Sequence, residues 1–195
     1  MRHPLVIMCA GVLTLCCASA PHSQAVSQSA RFSAQDAAAF QGDQNSLTNA
    51  IRDIQHSTGG TVVEIRFAQQ NAKPGFHSVV AQNGQVQFAR LEPPSKTLTQ
   101  VTSRPDWMLK WEQKTDVSLA TNAKVTLSQA ILTAEAQNQG APAVAAGIAR
   151  SASDPNTKIH AYNVLLDDHG STKRVAVDSS NGEIISDPGG LEDWP

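Results

Sequence analysis

The chain has 195 residues, 41% of them apolar and only 5% aromatic, with fifteen Lys and Arg against seventeen Asp and Glu. That length holds one ordinary domain or two small ones. The slightly acidic balance excludes a general electrostatic attraction to nucleic acid or to an anionic membrane.

Arg2 and His3 precede "LVIMCAGVLTLCCASA", an apolar run that ends in small residues, the pattern of a secretory signal. Residues 1–25 are read as that signal, with cleavage after Ala25 favoured over Ala20 because Pro21 follows Ala20 directly. The mature protein is then expected in the periplasm or outside the cell, not embedded in a membrane. Cys9, Cys16 and Cys17 are the only cysteines and all lie in the signal. Leu15 precedes Cys16 and Cys16 precedes Cys17, so lipidation is not expected. The mature chain would hold no thiol, no disulfide and no cysteine metal site.

Residues 26–44, rich in Ser, Gln and Ala, read as a flexible leader in which "SAQDAAAF" has a short helical tendency. From Ser46 the pattern changes. Leu47, Ala50, Ile51 and Ile54 fall at helical spacing, and Gly59-Gly60 ends the run. "TVVEIRF" then alternates, with Val63, Ile65 and Phe67 expected on one face. "FHSVVAQ" and "QVQFARL" flank Asn83-Gly84, a tight-hairpin dipeptide, and "KTLTQV" follows Pro93-Pro94 as a candidate edge strand.

Residues 103–124 form a linker containing Trp107 and Trp111, four apart and so on one helical face. Two roles fit this pair: packing between the flanking segments, or an exposed anchor for a partner. Beyond the linker, Leu127, Ala130, Ile131 and Ala134 repeat the apolar stripe, and Thr126 with Gln129 makes a capping box. "APAVAAGIAR", "HAYNVLLDDHG" and "RVAVDSSNGEII" follow as strands and turns, and residues 189–195 form a tail.

"TLSQAI", "YNV" and "VAVDSSNGEII" together resemble the PepSY domain, over residues 125–188 and more weakly over residues 45–102, where "VQFARLEPPSK" lacks the closing Asp and Gly. The resemblance implies an α+β fold of two tandem modules, each one helix packed on a small antiparallel sheet. It also implies an exported protein that contacts or restrains peptidases or other envelope proteins.

Motifs for chemistry are absent: there is no HExxH, G-x-S-x-G, GxxxxGK[ST] or GxGxxG. Asp167, Asp168, His169 and Gly170 fit a turn better than a cation site, which needs more oxygens at alternating positions. His77 and His160 lack ligand spacing, and Asp178 reads as a turn cap. The expectation is a non-catalytic protein with no cofactor and no metal, binding an envelope protein or peptide at an exposed sheet edge in each module, with a peptidase among the partners the resemblance implies. The alternative is a small-molecule-binding protein with a pocket between helix and sheet or between modules.

Overall fold

Ser46 and Thr126 open the two amphipathic helices that the spacing predicts. A computed structural model describes residues 32–41, 46–93, 95–105, 111–150, 160–169 and 171–186. In α2 (Leu47–Thr58) the Ser46 hydroxyl accepts the Asn49 N–H at 3.3 Å, and Gly59, at φ 70°, closes the helix in the left-handed region. In α4 (Leu127–Gln137) Thr126 and Gln129 form the reciprocal box, the Thr126 N–H donating to Gln129 Oε1 at 2.8 Å. Each helix buries its expected stripe: Leu47, Ala50, Ile51 and Ile54 in α2, and Leu127, Ala130, Ile131 and Ala134 in α4.

Four strands follow α2: β1 (Thr61–Gln70), β2 (Lys73–Gln82), β3 (Gln85–Glu92) and β4 (Thr97–Pro105). Asn83 and Gly84 both take positive φ, 49° and 72°, as a two-residue turn with the strands' own twist requires. Asn71 and Ala72 do the same between β1 and β2. Three more strands follow α4: β5 (Ala143–Arg150), β6 (His160–Asp168) and β7 (Ser171–Asp178).

These strands do not make two small sheets. They make one antiparallel sheet of seven strands in the order β4-β3-β2-β1-β5-β6-β7. The expectation of two tandem helix-on-small-sheet modules is therefore wrong, and the join is specific. Glu64, Ile65 and Arg66 of β1 pair with Gly147, Ala146 and Ala145 of β5. Two separate sheets would have left β1 and β5 as apolar edges with a row of unpaired backbone groups, and pairing them removes both edges. The helices confirm the join: α2 and α4 lie against each other, and residues of both belong to one buried cluster with Ile65, Phe76, Val80, Val144, Val164 and Leu166.

Within β1 the strict alternation also fails. A bulge between Val62 and Glu64 places Val62, with Ile65 and Phe67, in that cluster in place of the expected Val63. Helix α1 (Ala34–Gln41), in the leader, adds Phe40, whose ring meets Phe67 edge-on at 5.1 Å; Phe67 meets Phe76 in the same way at 5.3 Å. Helix α3 (Trp111–Asn122) packs against β1 and β5, with Leu119 and Ala120 half-buried on the core. Tyr162, buried in the core, donates its hydroxyl to the Val125 carbonyl at 2.9 Å, and burial pushes its pKa up to about 12.

Candidate functional site

A single sheet has two edges, not one for each half, and the two differ. The β7 edge is closed over its C-terminal part. Past the cap at Asp178 the chain turns at Gly182 (φ 79°) and comes back: the Asp178 N–H donates to Glu183 O at 2.8 Å, the Ile185 N–H donates to Ala176 O at 2.9 Å, and Val177 bridges Ile184. Asp178 does act as the turn cap the sequence predicts, accepting the Ser180 N–H at 2.7 Å. Burial alone would raise its pKa, but the bonds from Ser180 and Asn181 and the nearby His160 outweigh burial and lower it.

The β4 edge is open: among the described residues no segment pairs with its outer side. The strand begins after a turn in which the Lys96 N–H donates to Glu92 O at 3.0 Å and Lys96, at φ 55°, reaches Asp53 of α2 at 3.3 Å. From there to position 103 it carries no charged residue, and Thr97, Thr99, Val101, Thr102 and Ser103 are exposed. Val101 is 51% exposed, one of two large apolar side chains so placed among the described residues. Its partner across the ladder, Ala89, belongs to the core cluster, so Val101 continues the face that α2 covers.

On the opposite face the register brings three basic side chains into one row. Arg90 stands opposite His77, and His77 opposite Arg66, on β3, β2 and β1. Arg90 is held: it pairs with Glu92 at 3.0 Å and donates to Lys73 O at 2.9 Å, lying over Gly75. Arg66 forms no ion pair among the described residues. Burial, and then the two guanidinium groups, lower the pKa of His77, whose buried Nε2 has no hydrogen-bond partner. This row was missed in the sequence reading, although a two-residue turn between Gln82 and Gln85 already sets His77 opposite Arg90.

Farther along that face, Asn163 of β6 is fully buried between Gly147 and Ala176, and neither amide atom has a partner. At the other end of the molecule a cleft of about 620 Å³ lies between α4 (Thr133, Gln137) with its cap Asn138, β7 (Lys173, Arg174) and residues 182–186.

Of the residues singled out in the sequence, Trp107 lies outside the described residues, and Trp111 is the first residue of α3. His77 and His160 stand on β2 and β6, three strand spacings apart and offset along the strands by several residues, more than roughly 14 Å in all, so they are not brought together as ligands. Asp167 is buried and accepts a hydrogen bond from Gln41 Nε2 at 3.2 Å, whereas Asp168, at the end of β6, and His169, in the turn that follows, are exposed. Among the described residues no three His, Cys, Asp or Glu side chains group as metal ligands, and no helix is long and apolar enough to cross a membrane.

No family model and no curated protein matches the chain. Among solved structures, a presumed lipoprotein of Clostridium difficile 630 is similar at 16% identity, covering 73% of this chain and 91% of its own, with a TM-score of 0.42. That likeness is too low to carry an argument about fold or function.

Proposed function

We propose that this chain is a non-catalytic protein of the periplasm or the extracellular space that binds another envelope protein by taking an extended segment of it along β4. One observation supports the reading above the others: β4 is a long edge strand, largely exposed and free of charge from Thr97 to Ser103, while the chain itself covers the C-terminal part of the opposite edge. Unpaired N–H and C=O groups in such a row form a template for one more strand, and backbone pairing supplies the affinity. Natural sheets usually block such an edge with a charge or a bulge on the strand. Here the irregularity falls at Thr99, the extra residue of β4 between Leu98 and Gln100, and the stretch from Gln100 to Ser103 beyond it is regular and uncharged. The resemblance to PepSY modules makes an exported peptidase the partner class to test first.

Two neighbouring substitutions test this. Val101→Pro and Thr102→Pro remove N–H groups that point to opposite sides of the strand. One takes a bond from the β3 ladder and lowers the melting temperature; the other deletes only an outward donor. Tagged wild type and both variants are incubated with the native envelope fraction, and retained proteins are identified. The reading expects a partner that wild type holds and the outward-donor variant loses at unchanged melting temperature. Equal retention by that variant overturns it.

The cleft between α4 and β7 favours a second reading, a small polar ligand held near Lys173, Gln137 and Asn138. A rise in melting temperature with a small metabolite, abolished by Gln137→Ala, would support it over strand addition.

A further inference from the structure

We infer that the segment accepted at β4 is acidic on one face and apolar on the other; this rests on the strand-addition reading above and specifies its partner. The argument begins with the distribution of charge. The whole chain is slightly acidic, yet residues 46–105, which form α2 and strands β1 to β4, carry six Lys and Arg against three Asp and Glu. Two of those three acids are already committed, Asp53 to Lys96 and Glu92 to Arg90. The half of the sheet that ends in β4 is therefore the basic half, and within about one screening length of the open edge it places Arg104, on β4 itself, and Arg90, one strand in.

The two faces of the edge differ as well. A strand added outside β4 alternates its side chains between them. On the α2 face they meet exposed Val101 and half-buried Leu98, which favours apolar residues. On the other face they continue the register row that starts at Gln100 and runs inward through Arg90 and His77, and Arg104 stands on β4 itself. Carboxylates fit there, lysines do not. The same field disfavours a second copy of this chain as the occupant, because β4 against β4 would bring two basic halves side by side.

The uncharged stretch 97–103 sets the length of the probe. Three heptapeptides alternate valine with glutamate, with glutamine or with lysine, and each is titrated against the full mature protein by fluorescence anisotropy. The glutamate peptide is expected to bind at least about tenfold tighter than the glutamine one, with lysine weakest, and the advantage should shrink as salt rises from about 0.05 to about 0.5 M. Arg104→Gln should reduce the glutamate preference while leaving the glutamine peptide unchanged. Equal affinity for the glutamate and glutamine peptides overturns the acidic preference but leaves strand addition standing. Binding of none of the three, or loss of none on blocking the outward donor of β4, overturns both. A dimer formed through β4 in the absence of peptide also overturns the inference.

Discussion

Replacing Ile131 with Ala tests the single-sheet architecture at its core. Ile131 is fully buried on α4, which packs on β5, β6 and β7 and also against α2. Removing a buried Ile side chain to Ala costs about 2–5 kcal/mol through lost transfer energy and the cavity left behind. For a chain of this size each kcal/mol shifts the melting temperature by roughly 2–4 °C, so a fall of roughly 5–20 °C is expected. Its neighbour Leu132 is the control: it is 55% exposed, and Leu132→Ala should change stability by less than about 0.5 kcal/mol. The informative part is where the loss is felt. Because one cluster joins both helices to both halves of the sheet, amides of Val80 in β2 and Val164 in β6 should lose hydrogen-exchange protection by the same amount. Protection at Val80 that stays unchanged in Ile131→Ala, or two separate melting transitions, would refute the reasoning and restore two independent units.

Three further perturbations have defined outcomes. Gly60→Ala should destabilise by about 1–3 kcal/mol in a thermal melt, because its Cβ would stand 2.5 Å from Val80 Cγ1 and 2.8 Å from Ala81 O; an unchanged melt contradicts the tight approach. His77 has its pKa lowered from 6.5, so the stability it contributes is complete above that value and is lost as pH falls through the folded one. Wild type should thus lose more stability than His77→Asn between about pH 7 and pH 5, and parallel curves would show that His77 titrates freely. Asn163→Val, which replaces a buried amide with no partner by an apolar side chain about one methyl group larger, should melt no lower than wild type, since an unsatisfied buried polar group costs about 1–3 kcal/mol; a fall of that size would reveal a bond the amide makes.

What the sequence makes legible is local. Ser46, Thr126 and Gln129 mark helix starts by their own side-chain chemistry, and the stripes of Leu47 to Ile54 and Leu127 to Ala134 follow from helical spacing alone. Asn83-Gly84 sets the β2–β3 register because a two-residue turn leaves no freedom. The β1–β5 join has no such marker. It pairs residues about eighty positions apart, and alternation shows which face a side chain takes but not which strand lies alongside. In β5 the small residues Ala145, Ala146 and Gly147 blur even the alternation, since a central strand is covered on both faces. The open edge was legible as a kind of feature, from Pro93-Pro94 and the run of Thr in "KTLTQV". That β7 would be covered over its C-terminal part was not, because that closure depends on Ile184 and Ile185 folding back past Gly182.

The account rests on β4 being an open strand that a partner completes, and amide hydrogen exchange along residues 97–103 measures that directly. In the free protein, alternate amides of this stretch should exchange fast while those facing β3 are protected. With the glutamate heptapeptide bound, the fast set should become protected, and the amides of β7 should not change. Amides of β4 that are all protected before any peptide is added, or protection that appears along the cleft between α4 and β7 instead, would contradict it.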